Sequence, residues 1–406
     1  MNLFDVSIKI IENFLDTHDT IPKIVDKIKS KGSGKIAFFP CSRYANNVIR
    51  HIKENEAELF AQIEGIYDMS MEAKSDTGVP VFHISKIVGK RDTLSFVVIC
   101  SNTYHEREVS TFKQETGYTG DFVRSSYFDI SLPQQSKEEI LADIKTIYNM
   151  LADEKSRAVY MITWLSKTLN DETYTYLFEN EENIKINGQE TKYKGYTIKN
   201  IGDVCAAELY AEIYKMRYVY PEKGDTVLDI GGYKGDTAIF FADSVGKEGR
   251  IYVFEPTLLN FRILKENIRL NNLDNIIIPI NMGISDKSGS MKATTIDSGA
   301  PWSFISENQG NEDVKVTTID DFVAEQGVEK VDFIKMDVEG VEYEVISGGN
   351  KTISEHRPKL AIPLYHKVSD LTVLPLFIKR LADYKIYMRC KIEGPFGITM
   401  YCHPQE

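Results

Sequence analysis

Short apolar runs alternate with stretches whose apolar residues recur three and four positions apart, and this pattern occupies two separate parts of the chain. In the first part an apolar run at 36–39 leads into a turn and then to Val48, Ile49 and Ile52 at helical spacing, a β-turn-α unit. Further runs in IEGIYD, VPVFHI and LSFVVICSNTY repeat the theme. Strands that alternate with helices predict a parallel sheet covered by helices. Residues 1–132 are therefore read as a small Rossmann-like domain that opens with an amphipathic helix in MNLFDVSIKIIENFLDTHD. That helix carries acids within its apolar pattern and is unlike a signal peptide.

Residues 133–220 change character. SKEEILADIKTIYNMLADEKSRAVYMITWLSKTL keeps a helical period, and Ser136 followed by Glu139 predicts a capping box at its start. A second helical stretch, CAAELYAEIYKMRYVYP, has to stop before Pro221. This segment is read as a helical bridge. From 221 to 406 the alternation returns in TVLDI, RIYVFEP, NIIIPIN, VDFIKMD and KLAIPLYH. Two strand-like runs around Glu393, Gly394 and Pro395 then predict an antiparallel hairpin. The expected class is α/β: a doubly wound, mostly parallel C-terminal sheet ending in an antiparallel hairpin, plus the smaller Rossmann-like domain.

The composition narrows the function. The chain has 406 residues, 42% of them hydrophobic, enough for two cores. A formal net charge of -12 disfavours nucleic acid as a partner. No stretch approaches the ~18 apolar residues of a membrane span. Five cysteines without C-x-x-C spacing read as free thiols, and a cytoplasmic protein is expected.

The chemistry concentrates at VLDIGGYKGD. Gly231, Gly232 and Gly235 follow a strand and open a helix, which lets a ligand approach bare backbone. Counting G-x-G-x-x-G from Gly231 places Tyr233 and Asp236 where glycines belong, so the dinucleotide fingerprint fails. What remains is D-x-G-x-x-x-G with an acid, Glu255, ending the next strand. In a doubly wound sheet both acids lie at the carboxyl edge, where Glu255 suits paired ribose hydroxyls and Asp229 a cationic amino-acid end.

From about 206 to 402 the sequence resembles the FkbM family of S-adenosylmethionine-dependent methyltransferases, which have the class I methyltransferase fold. GDTVLDIGGYKGDTAIFFA, GRIYVFEPTLLNFRILKENIRLNN, INMGISDKSG, TTIDDFV and above all VDFIKMDVEGVEYEVISGG carry the resemblance. It implies that Asp229, Gly231, Gly232 and Gly235 hold the methionine part of S-adenosylmethionine and Glu255 its ribose. The segment 281–286 would lie near the adenine, with Asp286 as the candidate contact. The acceptor implied is a hydroxyl on a glycan or secondary metabolite.

Methyl transfer to oxygen needs alignment, a dry site and a base. Asp337 and Glu339 follow the strand VDFIKM two residues apart and are candidates for base or substrate-orienting roles. Magnesium binding is the competing role, not favoured because two carboxylates do not specify a site, and no metal site is expected. His366, at the end of LAIPLYH, is a second base candidate. Glu342 and Glu344 read as first-turn acids favoured by a helix dipole. Trp302, in a long polar insert, is a candidate for stacking on a sugar. In the first domain Arg43 could meet a phosphate, though a solvated arginine is the simpler reading. That domain is left with a nucleotide sugar or a homo-oligomer contact as its alternatives. A catalytically silent S-adenosylmethionine- or partner-binding protein is the main alternative to an enzyme, and an NAD-dependent oxidoreductase the third reading.

Overall fold

In the first half of the chain the predicted runs become strands β1 (Lys35–Phe39), β2 (Ile63–Asp68), β3 (Val81–His83), β4 (Leu94–Cys100) and β5 (Asp121–Ser125). They form one parallel sheet in the order β3-β2-β1-β4-β5. The pleat sends Ile36 and Phe38 into an apolar cluster with Val48, Ile49 and Ile52 of the helix Arg43–Asn55. Ala37 and Phe39 point the other way, into a cluster with Phe112 of the helix His105–Thr116. Both faces are thus covered, as a parallel sheet requires.

This computed structural model describes residues 3–17, 21–41, 43–69, 75, 77–100, 105–125, 136–169, 190–294, 304–306, 311–391 and 397–405. The chain divides into two compact units, residues 12–130 and residues 1–11 together with 131–406. The first turns of the amino-terminal helix Leu3–Thr17 therefore fall with the larger unit, where the Phe4 ring lies 4.4 Å from that of Tyr148.

The larger unit contains β6 (Glu190–Tyr193), β7 (Tyr196–Lys199), β8 (Thr226–Ile230), β9 (Arg250–Phe254), β10 (Ile277–Ile280), β11 (Gly283–Ile284), β12 (Gly289–Thr294), β13 (Phe304–Ser306), β14 (Glu312–Thr317), β15 (Phe333–Met336), β16 (Lys359–Pro363), β17 (Tyr384–Cys390) and β18 (Ile398–Pro404). Its main sheet has seven strands in the order β10-β9-β8-β15-β16-β18-β17, with β18 antiparallel to both neighbours. The α/β class and the mixed C-terminal sheet are those expected. The turn between the last two strands falls at 392–396, outside the described residues.

The stretch read as a bridge packs within the larger unit. Ser136 and Glu139 form the capping box, with Glu139 N–H donating to Ser136 Oγ at 3.2 Å and Ser136 N–H to Glu139 Oε2 at 2.7 Å. The following helix Glu154–Leu169 covers the edge strand β17: Met388 N–H donates to Ser156 Oγ at 3.0 Å, and Arg389 Nη2 meets Asp153 Oδ2 at 2.6 Å. Burial works against the Asp153 anion, but Arg389 and Ser156 outweigh it and hold its carboxyl down to about 2. The open edge of the sheet is thereby occupied by the protein's own helix. No helix among the described residues is long and apolar enough to cross a membrane.

Candidate active site

Strand β8 pairs with β9 on one side and β15 on the other, so the order reverses beside it, and ligands of open α/β sheets bind at such a point. Here the glycine turn bends. Gly231 has φ +75° and Gly235 φ +92°, backbone that a side chain rarely tolerates. A Cβ on Gly231 would sit 1.9 Å from the Asp337 carbonyl oxygen, and one on Gly232 2.1 Å from Val253 Cγ1. The protein's own packing thus already demands these glycines, a requirement additional to any ligand's.

Asp229 does not open into the crevice. It is fully buried, with Oδ1 3.2 Å from Lys335 Nζ and Oδ2 accepting a 2.6 Å hydrogen bond from Thr237 Oγ1. The parallel register sets Asp229 directly beside Lys335. Lys335 also donates to the Gly231 carbonyl at 2.7 Å and so ties the turn to β15. Burial works against the ammonium, yet Asp229, Asp337 and Asp236 outweigh it and raise its pKa. The expected partner for a cationic ligand end is therefore already neutralised by a cation of the protein.

Glu255 sits at the end of β9, buried, accepting at Oε1 from Thr257 N–H at 3.0 Å and Thr257 Oγ1 at 2.5 Å. Burial pushes its carboxyl up to about 7. Asn281 donates to the Glu255 and Pro256 carbonyls at 3.0 and 2.9 Å and holds this loop against the next strand end. Asp286 is exposed, its Oδ1 accepting from Ser285 Oγ at 3.2 Å.

The end of β15 and the end of β16 bring Asp337, Glu339 and His366 together. Asp337 Oδ2 accepts a 2.7 Å hydrogen bond from Tyr214, and Tyr365 approaches both of its oxygens at 3.4 Å. Glu339 has φ +56°, a strained conformation for a non-glycine residue. His366 Nε2 lies 3.4 Å from Asp337 Oδ1 and 3.5 Å from Glu339 Oε2. Its Nδ1 lies 2.7 Å from Glu342 Oε1.

Glu342 corrects the expectation of a merely dipole-favoured surface acid: it opens the helix Glu342–Ser347 but is buried, and Oε1 also accepts from the Val338 and Gly340 N–H groups at 3.3 Å. Burial would raise its pKa, but the bond and charge of His366 hold it below the ordinary value. Burial raises Glu339 to about 7, aided by Asp337. For His366 burial is outweighed by Glu342, Asp337 and Glu339, which raise it to about 9. With a proton on each ring nitrogen at neutral pH, the imidazole donates rather than accepts.

Two further acids face this region, Glu208, raised to about 8 by burial and then by Asp337 and Asp236, and Asp236, raised to about 7 by burial. Lys335, Tyr214, Tyr365 and Glu208 were not singled out from sequence. Only Lys335 left a signal there, a charge inside an otherwise apolar strand. Trp302 lies outside the described residues, as does the side chain of Arg43.

Residues 229–383 match the Methyltransferase FkbM domain. The hexuronic acid methyltransferase AglP of Haloferax volcanii is 23% identical over 164 residues, covering 40% of this chain and 66% of that one. The 2-O-methyltransferase NoeI of Sinorhizobium fredii is 32% identical over 155 residues, covering 34% and 62%. The chain thus spans just under two thirds of the length of each. The crystal structure of methyltransferase FkbM from Methylobacillus flagellatus KT aligns over 99% of both chains with a TM-score of 0.55 and 15% identity, and shows the same fold.

Proposed function

We propose, from the match of residues 229–383 to the Methyltransferase FkbM domain, that the protein transfers the methyl group of S-adenosylmethionine to a hydroxyl oxygen of a glycan or small molecule. The observation that carries this reading is the meeting, at one sheet edge, of the glycine turn after β8 with the Asp337, Glu339 and His366 cluster after β15 and β16. The residues suit the cofactor: Glu208, Asp236, Asp337 and Glu339 crowd carboxylates near one another, which favours a cationic ligand. Glu255, at the end of the neighbouring strand, is the acceptor for paired ribose hydroxyls.

S-adenosylmethionine supplies an electrophilic methyl group on a cationic sulfur. As the carbon–sulfur bond breaks and the carbon–oxygen bond forms, the hydroxyl proton has to leave. Asp337, fixed by Tyr214, orients the hydroxyl in this reading, and the carboxylates beside it receive the proton. One relative's name gives a hexuronic acid and the other's a 2-O position, and taken together they support an oxygen of a sugar-like acceptor in this reading. Cysteines outside any disulfide at Cys205, Cys390 and Cys402 fit a reducing, cytoplasmic compartment.

Calorimetry with S-adenosylmethionine tests the reading, with NAD as control. The wild type is expected to bind S-adenosylmethionine, and Glu255→Ala to lose most of that affinity. Because Glu255 titrates near 7 and accepts hydroxyls as the anion, the affinity should rise with pH, being roughly tenfold weaker at pH 6 than at pH 8. Absence of binding in the wild type would sink the proposal.

A further inference from the structure

Both nitrogens of the His366 ring face carboxylate oxygens. Nδ1 lies 2.7 Å from Glu342 Oε1, and Nε2 lies 3.4 Å from Asp337 Oδ1 and 3.5 Å from Glu339 Oε2. A neutral imidazole carries one N–H and would turn a lone pair toward an acid on one of these two sides. The doubly protonated ring presents a donor and a charge to both.

Glu342 explains why the ring is held there. Its side chain is 0% exposed and its Oε2 has no hydrogen-bond partner among the described residues, so the buried anion depends on what meets Oε1. Three donors meet it: His366 Nδ1, and the Val338 and Gly340 N–H groups at 3.3 Å each. The loop they close carries two consecutive left-handed residues, Glu339 at φ +56° and Gly340 at φ +95°. For Glu339 such backbone persists only where its surroundings fix it, and the buried oxygen is the fixing point. Other charges also face this pair. Asp370 approaches from the head of the helix Asp370–Leu381 with Lys367 beside it, and Lys335 acts on Glu339 from β15.

From this geometry we infer that Glu342 is a positioning residue: through one buried oxygen it holds the 337–340 loop in its left-handed turn and His366 as an imidazolium, which fixes the carboxylates of Asp337 and Glu339 on its far side. A doubly protonated ring has no lone pair for a proton, so the general base is a carboxylate and not His366. Asp337 is engaged by Tyr214 and Tyr365, whereas Glu339 faces the imidazolium and is the proton acceptor. As the methyl carbon leaves sulfur for the hydroxyl oxygen, that hydroxyl's proton passes to Glu339 and neutral S-adenosylhomocysteine remains. Burial places Glu339 at about 7, where it gains and loses a proton near neutrality. The choice of base rests on the methyltransferase reading; the positioning pair does not.

The test is a nuclear magnetic resonance titration of the full chain with 15N-labelled histidine, without S-adenosylmethionine, in which His366→Gln identifies the His366 signals among the seven histidines. The wild-type ring is expected to stay protonated on both nitrogens through neutral pH and to titrate at about 9. Glu342→Gln, which keeps the shape but removes the charge, should lower that midpoint by at least about one unit, a ~10-fold loss of proton affinity. Asp337→Asn and Glu339→Gln should lower it by less. Thermal melting checks each variant, and Glu339→Gln, at a partly exposed position, keeps the test valid should Glu342→Gln not fold. A singly protonated wild-type ring at neutral pH, or a midpoint that Glu342→Gln and Glu339→Gln leave unmoved, would overturn the inference. Calorimetry on the same preparation separates the two proposals. S-adenosylmethionine binding beside a neutral His366 removes only the positioning pair, whereas a protonated His366 without S-adenosylmethionine binding removes only the methyltransferase reading.

Discussion

Two parallel sheets in this chain begin alike and end differently. In each, a central strand, β1 or β8, has its buried residues followed by a turn, and the neighbouring strand, β2 or β9, ends in an acid. In the smaller unit that acid, Asp68, crosses to the first turn, where Oδ2 accepts the Cys41 N–H at 2.8 Å. In the larger unit Glu255 instead folds back on its own loop at Thr257, and the first turn is held from the opposite side by Lys335. Shared strand order therefore does not confer a shared site. What differs is which side chain the protein itself commits to the turn.

The largest effect should come from Lys335→Met. The substitution removes the cation beside the fully buried Asp229 and the donor to the Gly231 carbonyl. Breaking a buried pair by removing one partner costs about 3–5 kcal/mol. Urea unfolding should show a loss of this size for the larger unit. A loss below about 1 kcal/mol would mean that the buried pair does not govern the turn, and the contrast with β1 would lose its basis.

Much of this contrast was legible in the sequence, and the missing part has a physical reason. The glycines of the turn, Glu255, Asp337 and the Ser136 capping box are local signals, each readable within a few residues. The Asp229 and Lys335 pair is not local, because it depends on the register of β8 against β15. Glu342 looked like an ordinary first-turn acid since its burial depends on His366, 24 residues further on. Likewise the helical period of 137–169 was plain, whereas its docking on β17 required Asp153 and Ser156 to find Arg389.

Gly231→Ala against Gly32→Ala sharpens the comparison at smaller amplitude. Both glycines have positive φ, +75° and +96°, so both substitutions carry backbone strain of ~1–3 kcal/mol. A Cβ at Gly32 meets nothing within 4 Å, while at Gly231 it meets the Asp337 carbonyl at 1.9 Å. Gly231→Ala should therefore displace Asp337 and abolish S-adenosylmethionine binding, with a stability loss exceeding that of Gly32→Ala. Equal losses with cofactor binding intact would show that the close approach of β8 and β15 is dispensable.

The smallest effect is expected at Asp68→Ala. The Cys41 N–H loses its acceptor in a partly buried place, which costs ~1–2 kcal/mol, and Asp68→Asn, which keeps a carbonyl acceptor, should recover part of it. The thiol of Cys41 offers a separate readout. Burial and then the Asp68 charge push it up to about 11, so either substitution should lower that value and speed alkylation of Cys41 at pH 8, followed by peptide mass mapping. S-adenosylmethionine binding should not change, because Asp68 serves a turn in the smaller unit. If alkylation stayed as slow as in the wild type, burial alone would protect the thiol, and the acid at the end of β2 would act on the turn only through its hydrogen bond.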